Sequence, residues 1–128
     1  MRQKNGLNFL EFKAIRQDRN GFKRFFYNEY FHIYVWYDQT KEQILGFQII
    51  FLSSAFTWTF NEGFSLSGVN GLDHHIYLGS PILEGEVDKN IVNFEKEILL
   101  KTTGLEKKIE ELIIEKMNEY IKLVSGSH

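Results

Sequence analysis

The sequence predicts an α+β fold: a curved antiparallel β-sheet of about five to seven strands, followed by two C-terminal α-helices packed on one face. Two observations carry this prediction. Apolar residues recur with a period of two over the first two thirds of the chain, and with the helical period of about 3.6 near the end. Strands that come first and helices that come last favour an antiparallel sheet covered on one side.

The stretch "YFHIYVW", residues 30–36, gives the clearest strand signal. Both faces of this strand are apolar or aromatic: one carries Phe31, Ile33 and Val35, and the other carries Tyr30, His32, Tyr34 and Trp36. A polar loop and another apolar run follow, which predicts an antiparallel hairpin over residues 30–52. Because the helices bury one face, the other must meet solvent, a ligand, the N-terminal segment or a second copy of the protein.

Shorter patterns predict the other strands. Residues 7–17 alternate as a strand or a short helix, and Asn20-Gly21 marks a turn before a strand over residues 22–27. Threonines between aromatic residues in "FTWTF" predict a strand over residues 56–60. One more short strand is expected near residues 74–78.

The last third of the chain predicts two helices. The first is expected over about residues 88–101, and "TTG" then interrupts the pattern. Thr103 and Glu106 have the spacing of a capping box that opens the second helix. The apolar stripe of this second helix is expected to pack on the sheet, and it contains Leu105, Ile109, Leu112, Ile113, Met117, Tyr120, Ile121 and Val124.

Composition limits the classes of protein that fit. The 128 residues suit one domain over residues 1–124, and the final "SGSH", residues 125–128, resembles a tag remnant. The net charge of −2 gives no general attraction to nucleic acid or to acidic membranes. The absence of cysteine excludes disulfides and thiolate chemistry. No run is long and apolar enough for a signal peptide or a membrane span, so we expect a soluble, cytoplasmic bacterial protein.

Three stretches carry a family resemblance: "IYVWYDQTKEQILGFQIIF", "AFTWTFNEGFS" and "GSPIL". They resemble the VWxD, GFQ, LTW and PIL motifs of a family of small uncharacterised bacterial proteins, over about residues 7–100. Ile49, Ile50 and Phe51 depart from the Leu-Cys-Tyr of that family, and Ser80 stands before Pro81 where the family favours Thr. The family has no assigned activity, so the resemblance implies a compact bacterial domain and no particular chemistry.

Few patterns point to catalysis. Asp73 and His75 would share one face of a strand, which could begin a metal site, and His32 could act as a general base. Both patterns are more typical of a polar turn and of a hydrogen-bonded His on an aromatic face. Phosphate loops, dinucleotide-binding glycines and nucleophile elbows do not occur in the sequence. We therefore predict no catalytic residue, no metal and no cofactor, and leave the question of an enzyme open.

Basic and aromatic residues are mixed in "IRQDRNGFKRFF", residues 15–26. This mixture occurs in proteins that bind single-stranded nucleic acid by stacking and phosphate contacts. The acidic balance of the whole chain argues against nucleic acid, so a solvated turn and a half-buried strand are the preferred interpretation.

The aromatic second face is the best candidate for a functional surface, because large apolar patches on proteins mark interaction sites rich in Tyr and Trp. Phe56 and Phe60 would extend it if the register allows. The preferred hypothesis is a non-enzymatic domain that self-associates as a homodimer. The alternative is a small ligand-binding protein or enzyme, with a pocket for an apolar ligand between sheet and helices. The predicted binding residues are Tyr30, His32, Tyr34, Trp36, Trp58 and His75.

Overall fold

A computed structural model describes residues 7–17, 21–52, 54–68, 74–76 and 82–125, and shows an antiparallel sheet followed by two helices. The seven strands pair in chain order, each with the next. The predicted α+β fold is therefore confirmed. The elements are β1 (Leu10–Glu11), β2 (Phe22–Tyr27), β3 (Phe31–Tyr37), β4 (Ile44–Phe51), β5 (Ser54–Thr59), β6 (Gly63–Gly68), β7 (His74–Ile76), α1 (Ile82–Leu99) and α2 (Lys107–Val124).

The two faces of the sheet have different environments. In β3, Phe31, Ile33 and Val35 have no exposed surface and face the helices, whereas His32 is exposed and Tyr34 is half-buried on the other side. We call the first side the helix face and the second the open face. The alternation read from the sequence therefore divides β3 as predicted, and none of the described helices covers the open face.

The core lies between the helix face and the two helices. Cross-strand pairing aligns Ile33, Ile49, Phe56 and Leu66 in one row, and each of these side chains is at most 2% exposed. The ring of Tyr120 meets that of Phe56 edge-on, with 5.2 Å between centroids. Such ring pairs add about 1 kcal/mol beyond the area that they bury. The apolar stripe of α2 is confirmed as the core-facing side, with Ile109, Ile113, Met117, Tyr120 and Val124 buried.

The first helix is longer than the sequence predicts. It begins at Ile82 rather than near Asp88, and it ends at Leu99 rather than Lys101. Its early turns contain Gly85, which costs an isolated helix about 1 kcal/mol relative to Ala and favours a later start. Helix propensity is a weak local preference, which the surroundings of a segment in a folded protein commonly override.

The predicted capping box of the second helix is wrong. No side chain caps the N-terminus of α2. The hydroxyl of Thr103 donates instead to the side-chain oxygen of Asn8, at 3.1 Å. The carboxylate of Glu106 is also engaged elsewhere, because it accepts two hydrogen bonds from Arg24.

The N-terminal segment, residues 7–17, forms only the two-residue strand β1. Phe9 is buried, with its ring 5.9 Å from that of Phe31. Its backbone N–H donates to the carbonyl of Thr103 at 2.8 Å, in the linker between the helices. At Gly104 in that linker, a Cβ atom would lie 2.8 Å from the carbonyl oxygen of Phe9, so glycine permits this close approach.

The outer edge of β2 is covered partly by a side chain. The side-chain amide of Gln17 donates to the carbonyl of Lys23 at 2.7 Å and accepts the N–H of Lys23 at 2.8 Å. The N–H of Phe12 donates to the carbonyl of Phe25 at 2.9 Å. The side chain of Gln17 therefore takes the place of a peptide group of a neighbouring strand. The N–H and the carbonyl of Lys23 both have hydrogen-bond partners as a result.

Arg24 joins three parts of the chain through its guanidinium. Two hydrogen bonds of 2.8 and 2.9 Å reach Glu11 in β1, and two of 2.6 and 3.1 Å reach Glu106 before α2. A fifth, of 3.2 Å, reaches the hydroxyl of Tyr37. The guanidinium carbon also lies 4.8 Å above the ring of Phe26. These hydrogen bonds hold the pKa of Glu11 and that of Glu106 below their usual range, so both carboxylates stay charged.

We predict that Arg24→Lys lowers the free energy of unfolding by about 2 kcal/mol, because an ammonium cannot serve both carboxylates in two-point contacts. Urea unfolding at pH 7 measures the loss. Arg16 is exposed, so Arg16→Lys is the matched control and should change the stability by less than about 0.5 kcal/mol. Equal stabilities for the two variants would contradict the role given to Arg24.

Candidate functional site

The open face is nearly free of charge. Among its described positions Lys23 alone carries a formal charge, whereas the solvated face of an antiparallel sheet is usually polar. Its positions follow from the cross-strand pairs: Leu10, Lys23, Phe25, Tyr27, His32, Tyr34, Trp36, Gly46, Gln48, Ile50, Ala55, Thr57, Thr59, Gly63, Ser65, Ser67, His74 and Ile76. Exposed surface of this composition resembles the centre of a protein interface, where charged residues are depleted and Tyr and Trp are enriched.

An aromatic cluster occupies the β2–β3 half of the open face, and we define it as Phe25, Tyr27, His32 and Tyr34. Phe25 and Tyr34 are direct cross-strand partners, with stacked rings 4.7 Å apart. Tyr27 stacks on Phe25 at 5.8 Å, and His32 meets the same ring edge-on at 5.6 Å. The rings hold one another in place, so the cluster presents a pre-organised apolar surface.

Hydroxyl and amide groups occupy the other half of the open face. The side-chain amide of Gln48 donates to the hydroxyl of Thr57 at 3.0 Å. Thr59, Ser65 and Ser67 lie on the same side of β5 and β6, and all are half-buried. The open face therefore passes from aromatic to neutral hydrogen-bonding groups across the strands.

The structure divides the six predicted binding residues. His32, Tyr34 and Trp36 lie together on the open face. Tyr30 precedes β3, is 45% exposed, and donates its backbone N–H to the side-chain oxygen of Asn28.

Trp58 and His75 occupy positions on the helix face. Trp58 pairs with Phe47, and its ring lies 4.4 Å below the ammonium of Lys116 in α2. His75 pairs with Leu66, which places its position in the register of the helix face. Neither position can join the surface made by Tyr34 and its neighbours.

The predicted extension of the patch through β5 is wrong. Phe56 is fully buried on the helix face, and Phe60 lies in the turn after β5. Two aromatic residues of the open face were not among the predicted ones: Phe25, which was considered as part of a basic stretch, and Tyr27, which was given no role. Their alternation with Arg24 and Phe26 would have placed them beside Tyr34, once β2 and β3 were taken as a hairpin.

The same alternation separates the basic stretch considered for nucleic acid. Phe22, Arg24 and Phe26 face the helices, and Arg24 is fully occupied by its two carboxylates. Lys23 and Phe25 point to the open face. The part of the stretch in β2 is therefore divided between the two faces of the sheet.

The candidates for metal chemistry find no support among the described residues, where no group of three or more His, Asp or Glu side chains could hold a metal ion. Asp73 lies outside the described residues. Neither described helix is long and apolar enough to cross a membrane.

A buried acid lies between the sheet and the helices. Glu95 of α1 has no exposed surface, and one of its oxygens is hydrogen-bonded to the hydroxyl of Ser54 in β5. That hydroxyl also lies 3.2 Å from the carbonyl oxygen of Phe51, and the second oxygen of Glu95 has no partner among the described residues. Burial raises the pKa of Glu95 to about 8, and the bond to Ser54 opposes this only partly. Glu95 is therefore mainly neutral at pH 7.

No protein-family model matches this chain, and neither the curated proteins nor the solved structures contain a match. The resemblance inferred from short motifs stays a prediction.

We predict that stability falls as the pH rises from about 4.5 to 8. The pKa of Glu95 is 4.5 in the unfolded state and about 8 in the folded state, so the folded state binds this proton more tightly. The stabilisation from that proton is complete below about pH 4.5 and is lost as the pH rises to about 8. The loss is about 5 kcal/mol at most, and stability levels off above pH 8. Glu95→Gln should remove this slope. The measurement is urea unfolding at several pH values.

The control for this experiment is Glu97→Gln, because Glu97 lies on the same helix and is exposed. It should keep the slope of the parent protein. A parent protein with constant stability between pH 5 and 8 would show that the carboxyl of Glu95 titrates normally.

Proposed function

We propose that this protein is a non-enzymatic binding domain that self-associates through the open face. The proposal rests on the composition of this face, which spans five full strands, β2–β6. It presents a stacked aromatic cluster and carries one formal charge among its described residues. Burial of apolar surface away from water is favourable by about 25 cal/mol for each Å², and an uncovered face does not gain this free energy. A partner that covers the cluster recovers that free energy.

A second copy of the chain suits this surface better than a charged partner does. The open face has one lysine at a corner and otherwise neutral groups, so it offers little that would select a charged protein. A two-fold axis through the face brings neutral hydroxyl and aromatic groups of one copy against the same groups of the other. Such closed two-fold dimers are the commonest oligomers.

The size of the face predicts a reversible dimer. Strands β2–β6 cover about 19 Å across the sheet, from four spacings of about 4.8 Å, and about 20 Å along the strands. This gives a flat footprint of about 400 Å², which side-chain relief enlarges. Because standard interfaces bury about 800 Å² per partner, the dimer lies at the weak end of stable association.

The space between sheet and helices is less suited to a ligand. Phe56, Met117 and Leu99 fill it with fully buried side chains. The buried pair of Glu95 and Ser54 is enclosed in this core. The cytoplasmic location and the bacterial origin expected from the sequence stay predictions.

We predict that Tyr34→Glu dissociates the dimer, because each copy would bring a carboxylate into the aromatic centre of the interface. Light scattering coupled to size exclusion, from about 10 μM to 1 mM, measures the mass. The parent protein should pass from monomer toward dimer over this range, and Tyr34→Glu should stay monomeric.

The matched control is Leu123→Glu, which adds the same charge at a side chain that is 48% exposed on α2. Its mass should follow that of the parent protein. A parent protein that stays monomeric at 1 mM, or a Tyr34→Glu variant that still dimerises, would refute self-association through this face.

A further inference from the structure

A second surface lies beside the open face, at the edge formed by β1 and β2. It is an open groove of about 350 Å³. Phe22 and Tyr37 line its floor, with ring centroids 5.8 Å apart, and Phe12 and Ile15 of the N-terminal segment line its wall. Pockets for small ligands have this order of volume.

Three lysines from separate parts of the chain converge on this groove. Lys13 follows β1, Lys23 belongs to β2, and Lys41 lies in the turn between β3 and β4. Lys41 has a φ of 66°, and its ammonium lies 4.6 Å above the ring of Phe22. None of the three forms an ion pair with a described carboxylate. Lys13 is partly compensated, because its charge helps to lower the pKa of Glu11 and that of Glu106. Lys23 and Lys41 have no such partner among the described carboxylates, so an anion placed beside them would be stabilised.

The remaining charged groups at the groove are one guanidinium and two carboxylates, which together carry a net charge of −1. Arg24 is bonded to Glu11 and to Glu106, and it has no further N–H group to offer a ligand. The four basic side chains at the groove are the three lysines and Arg24. Counted against the two carboxylates, they leave a net charge of +2. The whole chain carries −2, so this excess is local to the groove.

The wall of the groove is pre-organised. The two hydrogen bonds of Gln17 to the backbone of Lys23 hold one end of it, and the bond from Phe12 to the carbonyl of Phe25 holds the other. Because the wall is already ordered, little conformational entropy of the protein is lost when a ligand binds.

We propose that this groove binds a small organic anion with a flat apolar body. The body lies on Phe22 and Tyr37, and the carboxylate or phosphate lies among the ammonium groups of Lys13, Lys23 and Lys41. Lysine acts on such groups as a flexible point charge, which suits several kinds of oxyanion. The floor of this site belongs to the helix face and its wall to the N-terminal segment, so it is a different surface from the one proposed for self-association. Lys23 lies at the border and is the one residue that both surfaces share.

The test is an NMR titration of the ¹⁵N-labelled full chain with 2-naphthoate, with neutral 2-naphthalenemethanol and inorganic phosphate as comparison probes. Naphthoate should shift amides of residues 12–17, 22–24 and 41, and should bind at least about tenfold more tightly than either comparison probe. Its affinity should fall as salt is added. Equal binding of the neutral probe, or shifts confined to the open face, would overturn the proposal.

Two double variants complete the experiment. Lys13→Gln with Lys41→Gln should weaken naphthoate binding by about tenfold or more, while Lys101→Gln with Lys122→Gln removes two exposed lysines elsewhere and should leave it unchanged. The four lysines changed in these two variants, at positions 13, 41, 101 and 122, are all exposed, so the fold should tolerate the changes. Tyr34→Glu should keep naphthoate binding even if it loses the dimer, which separates this proposal from that of self-association. Unchanged binding in the first double variant would refute the site.

Discussion

The guanidinium of Arg24 is the contact on which several other features depend. It lies on the helix face of β2 and satisfies Glu11 and Glu106 at the same time, so one side chain fixes the N-terminal segment and the start of α2 against the sheet. The position of α2 in turn brings Tyr120 over Phe56. Because both carboxylates are held in their charged form, the cation is compensated locally and can remain partly buried.

The two faces of the sheet differ in what covers them. The helix face packs into a close-packed aromatic and aliphatic core. Glu95 of α1 is fully buried there and is mainly neutral at pH 7, because its surroundings disfavour charge. The open face is equally apolar around Phe25 and Tyr34 but has no covering layer among the described residues. The two described helices cover one side of the sheet only. The aromatic residues in excess of the core therefore constitute the surface through which function is proposed.

Local patterns were sufficient to predict part of this molecule. Alternation in β3 and the apolar stripe of α2 depend on neighbouring residues, and both were confirmed. The face of Trp58 depends on the lengths of turns and on the irregular pairing after Trp36, neither of which short-range patterns specify. The capping box failed because Glu106 has a stronger partner, Arg24, which lies 82 positions earlier in the chain.

The amide of Gln17 has a consequence for how copies of this chain can assemble. Sheets usually grow by adding strands at an edge, and growth of that kind has no natural end point. At the edge of β2 a foreign strand would have to displace Gln17 from both backbone groups of Lys23 before it could pair there. The proposed stacking by faces, in contrast, would terminate after one step. A single glutamine therefore hinders fibre-like growth at the β2 edge of the sheet.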